Sequence, residues 1–204
     1  MCYNTDIKSI AVPLRGDGIH TEPTAVIKNY KWAKGYNPEC NVYLSYDAER
    51  LYIGFEIFEA DAIKKAKYVK DGQPVYKDSA VEFFFKPFID DARYLNFEFN
   101  ANCAAILGLG EKKNCRISLI EKYKSRLNAR VFSDASKWIL DFQIPYKLIG
   151  EIYGRSFEPK SQTVKANFYK CGDETESPHY GMVFDINSEY PDFHLPDFFG
   201  RLIF

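Results

Sequence analysis

Two tryptophans, two methionines and three histidines in a chain of 204 residues leave little material for a metal or haem centre. His20, His179 and His194 show neither H-x-x-H nor H-E-x-x-H spacing, so zinc has no motif, and His194 within PDFHLP reads as a residue that fixes a loop. A haem or redox-carrier domain would pair Met182 with a histidine or lysine, and no spacing selects that pair. The five cysteines, Cys2, Cys40, Cys103, Cys115 and Cys171, are odd in number and form no C-x-x-C, which argues for reduced, partly buried thiols. G-x-S-x-G, P-loop and G-x-G-x-x-G patterns are absent.

Charge bias is missing too. The net charge is -1 and the pI is near 6.3, with lysine and arginine scattered, so a nucleic-acid partner or an anionic membrane has no electrostatic footprint here. No apolar run is long enough to span a bilayer, and the opening MCYNTDIKSIAVP lacks a basic region followed by an apolar core. The chain therefore reads as soluble: cytoplasmic as it stands, or secreted or surface-attached if a leader was removed.

What the sequence has in quantity is phenylalanine and tyrosine, 17 and 15, a composition that favours strands over helices. The clearest pair is SAVEFFFK and RYLNFEFN within the stretch Val75 to Asn100. Val81, Phe83 and Phe85 share one face with Glu82 opposite, and Leu95, Phe97 and Phe99 oppose Asn96, Glu98 and Asn100. This predicts a sheet that packs one face on a core and offers acids and amides on the other. Further strands are predicted within Lys8 to Leu14, for Asn41 to Asp47 and Arg50 to Glu59 as a hairpin, for Cys115 to Ile120 and Leu127 to Ser133 after an apolar, glycine-punctuated stretch from Cys103 to Gly110, and for Lys137 to Ile144, Thr163 to Cys171, Tyr180 to Asp185 and Arg201 to Phe204. His20 to Pro38 reads as a loop with short strand pieces and Trp32 as a core plug; Ala60 to Tyr68 and Tyr146 to Gly150 each read as one helical turn. Gly54, opposite a core face, suggests close approach by another group. The sum is an all-β, two-sheet antiparallel β-sandwich of immunoglobulin or jelly-roll type with minor helical turns, one domain over residues 1–204.

Four carboxylates, Glu56, Glu82, Glu98 and Asp141, lie opposite apolar faces, so two of them could act as a glycosidase pair, Glu82 with Glu98 foremost; solvated acids on an outer face are the plainer alternative. Asp78, Asp90 and Asp91 could join carbonyls around calcium, though without EF-hand spacing. Sugars need rings to stack on and planar acids and amides for their hydroxyls. Tyr76, Tyr180, Tyr190, Phe184 and Phe193 lie in or beside loops, and Asp78, Glu82, Glu98, Asn96, Asn100 and Asn167 supply the polar groups.

The blocks NVYLSYDAERLYIGFEIFEAD, VYKDSAVEFFFKP, YLNFEFN, KWILDFQIPYKLIG, KANFYKC and PDFHLPDFFGRLIF, in that order, resemble the family 9 carbohydrate-binding modules. The most specific are D-S-x-V-E-x-F, W-x-x-D-x-x-I-P and F-H-x-P-x-x-F-G. The resemblance implies a non-catalytic β-sandwich serving polysaccharide catabolism. It would bind the ends of plant-type oligosaccharides between two aromatic rings, often with structural calcium and with no required cofactor. It places Tyr76 at one clamp position, Glu82 as the sugar-binding acid and Asn100 as the amide ending the next strand. Tyr190 would be the second ring, with Asn187 as its companion and Phe184 as the rival. The family's N-F-Y-R becomes Asn167-Phe168-Tyr169-Lys170, and tyrosine at both clamp positions means less stacking area than the family's tryptophan.

Overall fold

The computed structural model describes residues 8–16, 22–33 and 35–204, so His20, Cys2 and the Asp17-Gly18 part of the first predicted turn lie outside the described residues. The alternating segments form fourteen strands among those residues. In chain order they are β1 (Ser9–Ala11), β2 (Ala25–Ile27), β3 (Asn29–Tyr30), β4 (Cys40–Tyr46), β5 (Arg50–Ile57), β6 (Ala80–Lys86) and β7 (Tyr94–Asn100). They continue with β8 (Ala105–Gly110), β9 (Ile117–Ser118), β10 (Arg130–Ser133), β11 (Trp138–Pro145), β12 (Val164–Cys171), β13 (Tyr180–Met182) and β14 (Gly200–Ile203). The first sheet runs β1-β14-β12-β6-β7-β8-β9, with β13 and β3 added beside β12; the second runs β10-β11-β5-β4-β2. The fold is the expected all-β sandwich of two sheets.

Between the sheets, Phe83 stacks on Phe168 at 4.9 Å and on Phe97 at 5.9 Å, and Phe142 of the second sheet lies 5.1 Å from Phe99. Each such ring contributes about 1.5–3 kcal/mol through burial. No helix among the described residues is long and apolar enough to cross a membrane.

Three local differences from the sequence expectation have physical causes. First, β1 pairs parallel with β14, where an antiparallel sandwich was expected; it meets the far end of the chain, so no hairpin dictates its direction. Second, while α1 (Ala62–Lys65) between β5 and β6 is the expected single turn, the region between β9 and β10 is also helical, with α2 (Ile120–Tyr123) and a 3-10 turn over Lys124–Leu127. Ile120, Tyr123 and Leu127 are its buried residues, a helical spacing rather than a strand spacing. Third, α3 (Tyr146–Tyr153) runs through Gly150 for two turns and stops at Gly154, whose φ of 72° closes the helix end. Burial of Leu148, Ile149 and Tyr153 outweighs the roughly 1 kcal/mol that a mid-helix glycine costs.

The outward face of the first sheet differs most. It is not open: β7 is buried at every position, and Phe84, Tyr94, Tyr169, Met182, Ile186, Phe193 and Phe199 belong to a second apolar cluster on that side. The segment from Val183 to Phe199 covers it. Asn167 pins that segment as a strand partner would, donating to the Phe184 carbonyl at 2.8 Å and accepting from the Phe184 N–H at 3.0 Å. Tyr169 donates to the Phe193 carbonyl at 3.2 Å, and the two rings stack at 4.1 Å.

Candidate ligand-binding site

One place on this covered face stays open. A cavity of ≈ 130 Å³ has Glu82 and Glu98 in its lining, with rings from Tyr76, Tyr180 and Phe193. The strand register brings the acids together: Glu82 of β6 is the direct cross-strand partner of Glu98 of β7, with Tyr169 of β12 beside Glu82 in the same row. Tyr76 stands on the 3-10 turn Val75–Lys77, anchored by fully buried Val75 and by the Asp173 N–H, which donates to the Tyr76 carbonyl at 3.1 Å. Trp32 braces the other rings, 6.2 Å from Tyr180 and 6.0 Å from Phe193, and its indole N–H donates to the Ser188 carbonyl at 2.9 Å. The core-plug role expected of Trp32 is thus a bracing role beneath the C-terminal segment.

The electrostatics are unusual. Glu82 and Glu98 are only 4% and 3% exposed. Glu82 accepts from the Cys171 thiol at 3.1 Å; Glu98 Oε1 accepts from Asn96 at 2.6 Å and from Arg116 at 3.2 Å, and its Oε2 has no partner. Burial, and then the neighbouring Glu98 charge, push the Glu82 carboxyl well above its ordinary value. Burial also raises Glu98, with Arg116 opposing. Asp173, at the rim, is pushed up to about 6 by burial against the pull of Lys113. His194 shares a 2.7 Å hydrogen bond with the Tyr94 hydroxyl, and burial with the Arg116 charge holds its imidazole down to about 2. The cavity therefore offers apolar rings, buried acceptors and one guanidinium, a set suited to a hydroxyl-bearing ligand.

The sequence matches the model of carbohydrate-binding family 9 over residues 17–204. The chain belongs to carbohydrate-binding family 9. No curated protein matches it. Among solved structures, it resembles a provisionally assigned carbohydrate-binding protein from Bacteroides uniformis ATCC 8492, at 25% identity and a TM-score of 0.80, covering 96% of this chain and 98% of that one. It also resembles a family 9 module from Caldicellulosiruptor kristjanssonii solved with glucose, at 13% identity and a TM-score of 0.64, over 96% of this chain and 95% of that one. The same module solved with cellotriose matches at 13% identity and a TM-score of 0.64, over 96% and 93%.

In this family 9 chain the residues singled out from sequence fall into three groups. Tyr76, Glu82 and Glu98 line the cavity together. Asp78, Asn100 and Asn167 do not line it; their side chains hold backbone. Asp78 accepts from the Lys67 and Tyr68 N–H groups at 3.0 and 2.9 Å. Asn100 donates to Asp78 at 3.0 Å and to the Tyr68 carbonyl at 2.7 Å, and it accepts from Asn102 and Ala104. Asn187 and Tyr190 do not line it and are exposed, Tyr190 by 70%, although Pro191 to His194 of the same segment do contribute. Phe184 is buried against Gly200. Tyr180 and Phe193 are the rings that segment and β13 deliver.

The other expectations also find their places. Glu56 and Asp141 stand on the second sheet, a core thickness of about 10 Å away, which leaves Glu82 and Glu98 as the one cross-strand acid pair among the four. Gly54 lets the Asp141 carboxylate approach, since a Cβ there would lie 3.0 Å from its oxygen. For calcium, Asp78, Asp90 and Asp91 do not converge: Asp90 pairs with Arg155 and Asp91 with Arg93, each at 2.7 Å. No group of three or more metal-type side chains forms among the described residues. Met182 is fully buried in the second apolar cluster. Sequence reasoning missed Arg116, Lys113, Asp173 and Asp192, because polar residues in turns carry no signal of which strand end they face.

Proposed function

We propose that the protein is a non-catalytic module that holds the terminal residue of an oligosaccharide in the cavity above Glu82 and Glu98, within polysaccharide catabolism. The observation that carries this reading is the convergence of the Tyr76, Tyr180 and Phe193 rings with a buried pair of acceptors in one small cavity. Rings take the apolar C–H faces of a pyranose, and the carboxyls and Arg116 take its hydroxyls. The glucose and cellotriose held by the Caldicellulosiruptor kristjanssonii module support the same ligand class.

Titration with glucose and with cello- and xylo-oligosaccharides, followed by calorimetry, tests the reading; silence across neutral and charged sugars at millimolar concentration would refute it. Replacing Tyr76 by alanine should weaken binding roughly tenfold, about 1.4 kcal/mol, without lowering the melting temperature by the amount a core deletion does. A glycoside hydrolase is the second reading, favoured by one observation: two buried carboxyls, Glu82 and Glu98, lie directly across neighbouring strands in the lining of one cavity. A reducing-sugar assay on the wild type and on Glu82→Gln decides it, since turnover lost in the variant establishes an enzyme and no turnover in either removes one.

A further inference from the structure

The cavity is lined by more acidic groups than basic ones. Its lining carries four carboxyls, those of Glu82, Glu98, Asp173 and Asp192, against two cations, Arg116 and Lys113. Arg116 is spent on Glu98, and Lys113 is an exposed residue at the mouth. Among the described residues Glu82 has no ion-pair partner, and its one side-chain hydrogen bond comes from a neutral thiol. Like charges set directly across from each other in a sheet repel, and a buried carboxylate without a counter-ion is costly. Glu98 Oε2, on a residue of the lining, is a further buried acceptor with no partner among the described residues. Arg116 faces Glu98, so no cation among the described residues is paired with Glu82. An ammonium carries one positive charge and three N–H donors, with no acceptor to leave unpaired.

We propose that this site prefers an amino sugar, a pyranose bearing a primary ammonium, whose charge serves as the counter-ion that the Glu82 and Glu98 pair lacks while its ring lies against Tyr76. This rests on the carbohydrate reading above and narrows it to a cationic class. A neutral sugar gives the pair hydroxyl donors but no counter-charge, so it does nothing to favour the doubly ionised pair. The raised carboxyls fit the same account: without ligand the pair retains a proton, and the incoming ammonium displaces it.

Calorimetric titration of the full chain at neutral pH and low salt with glucosamine, N-acetylglucosamine and glucose tests this. Glucosamine is expected to bind about tenfold more tightly than glucose, the scale of one charge-assisted pair in a buried site. N-acetylglucosamine, which keeps the shape and loses the charge, should lose that advantage. Repeating the glucosamine titration in buffers of different ionisation enthalpy should reveal proton release that glucose does not produce. In Glu82→Gln and in Glu98→Gln, with folding checked by circular dichroism, the ratio of the two affinities should fall toward one. Binding of glucose equal to or tighter than that of glucosamine would overturn the proposal and leave the carbohydrate reading standing. Failure of all three sugars and of the oligosaccharides would overturn both.

Discussion

Two buried acidic clusters border the loop formed by residues 172–179, and they are treated oppositely. On one side Glu59 accepts hydrogen bonds from Ser79, from the Trp138 indole at 3.2 Å and from Tyr36 at 3.2 Å, and it lies 3.4 Å from the wholly buried Lys170 ammonium. Lys170 also donates to Ser79, to the Cys171 carbonyl and to His179 Nε2, and His179 in turn donates through Nδ1 to the Ser177 carbonyl. Against a burial penalty, Lys170 and these hydrogen bonds bring the Glu59 carboxyl down to about 2, and burial with Lys170 brings His179 down to about 4. On the other side, the Arg116 guanidinium pairs with Glu98 alone, Glu82 has only the Cys171 thiol, and Glu98 Oε2 is left unpartnered among the described residues. A closed, neutralised network fixes the chain where three segments meet. An unneutralised one keeps unsatisfied polarity at the place where the surface opens, which is how strain and perturbed carboxyls come to mark binding sites.

The sharpest way to break this contrast is Lys170→Met. Removing the cation leaves Glu59 buried and unpaired, and urea denaturation should show a loss of about 3–5 kcal/mol. A loss below about 1 kcal/mol would show that the network is not what fixes this part of the fold.

A smaller effect of opposite sign is expected from Glu82→Gln, which removes one of two apposed acids. Stability should rise by roughly 1 kcal/mol at pH 8 while sugar binding weakens, the trade expected where a site is strained for function. The pH dependence separates the clusters further. Glu82 and Glu98 have raised folded values, so their contribution is fully present below the ordinary 4.5 and is lost as pH rises through the raised values. Glu59 and His179 have lowered values, so theirs is present above the ordinary 4.5 and 6.5 and is lost as pH falls through about 2 and about 4. Denaturation midpoints measured from pH 4 to pH 8 should therefore show a decline at the alkaline end that Glu82→Gln flattens, and a decline at the acid end that it leaves in place.

The smallest effect belongs to an acid outside both clusters. Glu56, on the outer face of the second sheet, pairs with part-exposed Lys137 at 2.6 Å. Glu56→Gln should change stability by less than about 1 kcal/mol, as surface ion pairs do, and a larger loss would blur the distinction between buried and surface acids.

The strands were legible because side chains alternate with the pleat: the β4 and β5 hairpin, the β6 and β7 pair and β11 all lie where the periodicity put them. The site was legible where it lay within that pattern. Glu82 and Glu98 each stand opposite a run of core phenylalanines, and Tyr76 precedes the strand by a fixed short turn. Elsewhere the sequence was mute. Asp78, Asn100 and Asn167 have the same acceptors and donors as sugar-binding residues, and whether they face a ligand or the backbone depends on segments 10 to 32 residues away. Tyr180, Phe193 and Tyr190 are equivalent loop aromatics in the sequence, and only the path of the chain over Tyr169 turns the first two toward the cavity and leaves the third in solvent.

By itself, then, the sequence determined a two-sheet sandwich of family 9 and the position of two acids on one face of one sheet, since the two-residue repeat of a strand is a local property of the backbone. Only the tertiary structure decided that this face is covered, that one acid cluster is neutralised and the other is not, and which rings stand over them. Burial and the distance between charges set those outcomes, and both are fixed by segments far apart in the chain that meet only when it folds.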